Sequence, residues 1–194
     1  MLVDGPDVVW MTGFGLADRE RGVVADGDTV YHIGSASKAF AATALMQLWD
    51  QGRVNLEAPL TNYIPEFSML PRYTDSGPVT VRSLLNHHSG IPGDVMNGMN
   101  ATQVREDTAD WLIHYLQGEY PAAPVNERYF YCNNGFILAS EAVRRITGTP
   151  VCERRREQDF QPVGHECQLV PARHAGHRQP PGRRLRCRWA TPAA

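Results

Sequence analysis

The last 44 residues constrain this chain most. Between Val151 and Ala194 there are only five aliphatic side chains: Val151, Val163, Leu169, Val170 and Leu185. That is too little apolar surface to close a core of its own, so the packed part must come from the first 150 residues. Charge divides at the same place. Residues 1–150 carry ten Lys+Arg against seventeen Asp+Glu, a balance of −7; the tail carries nine Arg against four, a balance of +5; the two give the net −2 of the whole. The expectation is one domain over 1–150, followed by an Arg/Pro-rich, poorly ordered tail over 151–194. Lys38 is the only lysine among nineteen cationic side chains. This bias points to a GC-rich coding sequence, in which an out-of-frame reading yields Arg, Pro, His and Cys, so a frameshifted end is the expected origin of the tail.

Hydrophobic residues are 42% of the chain, within the globular range. The near-neutral balance argues against a dedicated nucleic-acid binder. No apolar run reaches the roughly 18 residues of a membrane span. The opening Met1-Leu2-Val3-Asp4-Gly5 has no basic segment before an apolar one, so no signal peptide is visible. Four cysteines in 194 residues make no disulfide framework.

Local patterns give the order of elements. Val8–Gly15 and Gly22–Val24 read as one hairpin bridged by polar residues 17–21, and Asp28–Ile33 as a short extended run. A helix is expected from an N-capping Ser35 to Trp49, with Phe40, Ala41, Ala44, Leu45 and Leu48 on one face. Thr80 caps a short helix over 81–88 that ends before Gly90. Residues 91–94 read as loop. Helices are expected over 102–116, with Val104, Trp111, Leu112 and Tyr115 on one face, and over 135–147.

Two clusters carry chemistry. Ser35 and Lys38 are three residues apart, so on a helix the ammonium sits beside the hydroxyl. A serine hydroxyl needs an adjacent base, and a partly desolvated lysine supplies one. A capped helix with a solvated lysine fits the same pair. In Tyr131-Cys132-Asn133, a phenol beside a lysine can relay protons and an asparagine amide can align a substrate. An aromatic pair followed by a helix-capping Asn133 fits it equally.

The segment Tyr31–Phe40, with Ser35-Ala36-Ser37-Lys38 inside it, resembles the nucleophile motif of class C β-lactamases and related serine hydrolases. Val79–Pro92 resembles the helix-and-loop signature that follows in that family. Tyr131-Cys132-Asn133 matches its Tyr-x-Asn motif, and Asn134–Leu138 continues the match. The resemblance covers roughly residues 8–150, with a fainter echo at Phe160–Gly164. It implies a β-lactamase/transpeptidase-like α/β (α+β) fold: an antiparallel sheet with helices and a helical subdomain. It implies hydrolysis of a β-lactam, a D-Ala-D-Ala-type peptide or an ester through an acyl-enzyme, without metal or cofactor. Ser35 would then be the acylated nucleophile, with its own N–H as one oxyanion donor. Lys38 and Tyr131 would be the proton-transfer pair, and Asn133 would position substrate. Cys132 stands where the family usually has serine.

The family's third motif, a Lys- or His-containing triplet on a strand, normally lies well over a hundred residues beyond Tyr-x-Asn, whereas 61 residues follow Asn133 here. His174-Ala175-Gly176 has a tolerable composition, but the prolines and polar residues around it make no strand. The expectation is a fold incomplete at its C-terminal end, with impaired turnover. The alternative is a catalytically inactive binding or scaffold protein of the same fold. The relatives of this family are usually exported, which leaves the compartment open. Cys167, His174, His177 and Cys187 match no compact zinc spacing. The tail arginines lack the aromatic interleaving of a specific nucleic-acid arm. His87 and His88 read as capping and packing groups, and His114 as a helix-surface residue.

Overall fold

The fold is given by a computed structural model that describes residues 1–31, 33–94 and 108–151. Strand β1 (Leu2–Asp4) pairs antiparallel with β2 (Asp7–Trp10), placing Leu2 opposite Trp10 and Val3 opposite Val8. Strand β3 (Leu16–Asp18) pairs with β4 (Val23–Val24), Leu16 lying opposite Val24. These are two separate hairpins, not the single one expected between 8–15 and 22–24. Each closes locally, with Gly5 in the first turn and Gly22 in the second, both in the left-handed region. The expected extended run at 28–33 is no strand in its described part. An Asp26–Thr29 turn begins it, in which the Asp26 amide donates to Thr29 Oγ1 (2.9 Å) and that hydroxyl donates to Asp26 Oδ1 (3.0 Å).

Helix α1 spans Ser37–Asp50 and buries Ala41, Ala44, Leu45 and Leu48, most of the face expected for it. Its start differs from the expectation. Ser35 does not cap it but lies in a single 3-10 turn, Gly34–Ala36, and the cap position falls on Ala36 with no side-chain cap bond. The chain then wraps the core through Val54, Leu56, Leu60, Ile64 and Phe67, all buried.

Helix α2 (Val81–Leu85) is capped as the sequence indicated. Thr80 Oγ1 accepts from the Ser83 amide, and the Ser83 side chain accepts from the Thr80 amide. It ends earlier than expected, because His87 takes a left-handed conformation (φ 63°) and the His88 amide donates to Asn86 Oδ1 at 3.1 Å. Helix α3 (Thr108–Leu116) buries Leu112, Ile113 and Leu116, while His114 is exposed. Residues 102–107 and Val104 lie outside the described residues. Helix α4 (Asn133–Thr147) is central and packs against α1, α2 and α3. Gly148, at φ 76°, closes it by donating to Arg144 O at 2.8 Å.

The core joins all four helices through Leu45, Leu48, Leu84, Leu112, Leu116, Leu138 and Val143. Each fully buried aliphatic side chain contributes about 1.5–3 kcal/mol. This packing brings the first turns of α1 and α4 together.

Candidate active site

The 3-10 turn before α1 leaves the Ser35 side chain exposed, and α1 places Lys38 one turn on. Lys38 Nζ donates to Ser35 Oγ at 3.2 Å and to Asn133 Oδ1 at 2.5 Å, at the first residue of α4. The same ammonium lies 4.7 Å from the centroid of the Tyr131 ring. Hydrogen bonds from Lys38 and Ser35 hold the Tyr131 phenol below its ordinary pKa; the Lys38 charge adds to this, while partial desolvation and Asp94 oppose it. All four residues singled out from the sequence, Ser35, Lys38, Tyr131 and Asn133, are thus brought together. His174-Ala175-Gly176 and the four candidate zinc ligands lie outside the described residues.

Two features of the sequence reading change. Asn133 does not cap α4. That role falls to Cys132, whose Sγ accepts from the Gly135 amide at 3.1 Å. Burial pushes the Cys132 thiol above its usual pKa, with the Gly135 amide opposing, so it is not a reactive thiolate. Asn133 instead spends both ends of its amide on side chains, its Nδ2 donating to Asp94 Oδ1 at 2.6 Å.

The 91–94 loop is stitched to this helix start. The Asn133 and Asn134 amides both donate to Gly93 O, at 2.8 and 3.2 Å, and Asn134 Nδ2 donates to Pro92 O at 2.8 Å. A β-carbon on Gly93 would stand 2.6 Å from Tyr131 O, so only glycine lets the loop pass so close.

His87 fits its reading as a packing group, and it packs on the site itself. Its ring lies 4.6 Å from that of Tyr131, and its Nδ1 accepts from the Cys132 amide at 3.1 Å. Burial lowers its pKa, and the charges of Lys38 and His88 lower it further. The bond to Nδ1 selects the neutral tautomer protonated on Nε2. Beside Lys38 and Asn133, between α1, α3 and α4, opens a cavity of about 550 Å³ whose walls include Ala41, Phe136, Ile137 and Val151. Among the described residues, no group of three or more His, Cys, Asp and Glu side chains is placed to hold a metal, and no helix is long and apolar enough to cross a membrane.

Sequence reasoning did not assign Asp94 a role. No local signal marks it, because its partner is 39 positions away.

Known proteins resemble this chain in sequence and fold. The chain is 30% identical over 173 residues to the unguisins hydrolase ungD' of Aspergillus campestris, a match covering 84% of this chain and 31% of that one. Its fold superposes on the octameric penicillin-binding protein homologue of Pyrococcus abyssi with a TM-score of 0.68 at 29% identity, over 83% of this chain and 37% of the other. It superposes on the D-amino acid amidase of Ochrobactrum anthropi SV3 with a TM-score of 0.61 at 31% identity, over 78% and 40%. The chain thus spans between 31% and 40% of the length of these three proteins. The sequence profile of the Beta-lactamase family matches residues 1–192. With helices beside small antiparallel sheets and Ser35, Lys38 and Tyr131 converging on one point, this chain belongs to the Beta-lactamase family.

Proposed function

We propose that the chain is a serine hydrolase that works through an acyl-enzyme on Ser35, its substrate a β-lactam, a D-Ala-D-Ala-type peptide or a simple ester. The observation that carries this reading is Lys38 Nζ, 3.2 Å from Ser35 Oγ and held from behind by Asn133 Oδ1. A neutral Lys38 takes the Ser35 proton as Oγ attacks the carbonyl carbon. The tetrahedral oxyanion collapses, the bond to the leaving group breaks, and the proton passes through Tyr131 to the departing nitrogen or oxygen. Water then attacks the Ser35 ester, and Oγ recovers its proton as the acid leaves. Tyr131 suits the relay because Lys38 and Ser35 hold its pKa below the ordinary value, so the phenol gives up its proton more readily than a free tyrosine. In this reading Asn133, whose Oδ1 bonds Lys38 Nζ, aligns the scissile group. The hydrolase and amidase named above support the reaction class.

The test is covalent labelling of the full chain with a fluorescent penicillin and a fluorophosphonate. Intact mass should rise by one acyl or phosphonyl group, and Ser35→Ala should abolish the adduct with both probes. A folded wild-type chain that takes up neither probe would instead identify an inactive binding protein of the same fold.

A further inference from the structure

We propose that Asp94 is a positioning residue of the Ser35 site, holding the Asn133 amide so that its oxygen, not its nitrogen, faces Lys38; the kinetic part of this inference rests on the hydrolase reading above. An asparagine amide has two nearly isosteric ends, one accepting and one donating. Towards Asn133 the Lys38 Nζ donates: an ammonium has only donors, and a neutral amine that takes the Ser35 proton has its single lone pair turned to that hydroxyl. A flipped Asn133 would set two donors against each other at the 2.5 Å contact with Lys38. The amide must therefore be fixed by whatever touches its other end.

That end meets Asp94 Oδ1 at 2.6 Å. An ionised carboxylate only accepts, so it selects the Nδ2 face and turns Oδ1 towards Lys38. The result is a row of hydrogen bonds that diverges at Lys38, which donates to Ser35 on one side and to Asn133 on the other, Asn133 in turn donating to Asp94. Residues 92–94, after α2, are tied to the start of α4. Gly93 O accepts two amides from the start of α4, Pro92 O accepts the Asn134 side chain, and no β-carbon fits between Gly93 and Tyr131. Asp94 is the next residue, so the backbone bonds at Gly93 set its carboxylate beside Asn133.

The sole lysine makes the test clean. Labelling with [15N]lysine gives one Nζ resonance, from Lys38, and its position reports the Asn133 contact whether or not Ser35 reacts. Asp94→Ala should shift that resonance. Asp94→Asn, whose side-chain oxygen can still accept from Asn133 Nδ2, should leave it near the wild-type position. Acylation of Ser35 by the fluorescent penicillin should fall on the order of 10²-fold in Asp94→Ala and by only a few-fold in Asp94→Asn. In an Asn133→Ala background, Asp94→Ala should have no further effect on either readout, since the two residues act through one contact. Equal shifts in both backgrounds, or equal losses in Asp94→Asn and Asp94→Ala, would overturn the assignment. A wild-type chain that shows the expected resonance pattern but never acylates would overturn the hydrolase reading and leave the positioning role standing.

Discussion

Lys38 shows how much one side chain can be asked to do. Its ammonium bonds the hydroxyl of Ser35 and the amide oxygen of Asn133 and lies against the Tyr131 ring, and only a group able to lose a proton can also serve as base. Arginine keeps the charge and the donors but holds its proton throughout the accessible range. Lys38→Arg should therefore fold normally by circular dichroism yet acylate Ser35 about 10²–10⁴-fold more slowly. A rate close to wild type would leave lysine an electrostatic role only. The Ser35–Lys38 pair was legible because three-residue spacing and helix geometry determine each other. The local path of the turn was not. A serine before a helix reads as a cap, but the Ser35 hydroxyl is taken by Lys38, and a 3-10 turn carries the chain into α1 without one. Asp94 was illegible for a different reason, since a Gly-Asp pair in a loop looks the same whether or not a helix start 39 residues later folds against it.

The same division holds among the elements. The four helices were readable from their apolar spacing, and α2 also from its cap, because Thr80 and Ser83 act within a few residues of where they sit. Their ends were less so. Helix α2 stops at Leu85 because His87 turns left-handed to place its ring against Tyr131 and its Nδ1 on the Cys132 amide, a demand imposed by α4 and not by α2. This junction should make stability depend on pH. The folded state lowers the pKa of His87 below its ordinary value of 6.5, chiefly through burial. Through that window the unfolded chain binds more protons than the folded one, so stability rises with pH and is lost as pH falls below about 6.5 towards the folded value. The melting temperature of the wild type should drop more steeply between pH 7.5 and 5.5 than that of His87→Gln, which cannot titrate there. Parallel curves would mean that His87 keeps an ordinary pKa in the fold.

Over the whole molecule the packing is uneven, and the site stands where it changes. Among the described residues from Ala41 to Val143 the four helices share one core, with Leu45, Leu48, Leu60, Leu116 and Leu138 fully buried. Ahead of Ser35, the hairpins have strands of two to four residues and expose Leu2, Val3, Val9, Trp10, Phe14, Val24, Tyr31 and Ile33. Isolated two-stranded hairpins are marginal in water, and apolar side chains on both faces add nothing while uncovered. This also explains why the strand region was the least legible. An alternating or Val-rich run predicts extension, but which run pairs with which depends on what covers it, and here only the local glycine turns decide. Ser35 therefore joins a loosely held segment to the first turn of a well-packed helix. Native-state hydrogen exchange should show the difference directly. Amides of residues 2–24 should exchange with little protection, whereas those of Leu45, Leu48, Leu112, Leu138 and Val143 should require opening that approaches global unfolding. Protection at Val8–Trp10 equal to that at Leu138 would mean that the hairpins are covered in solution. Its dependence on protein concentration would then separate cover by a second copy from cover within the same chain.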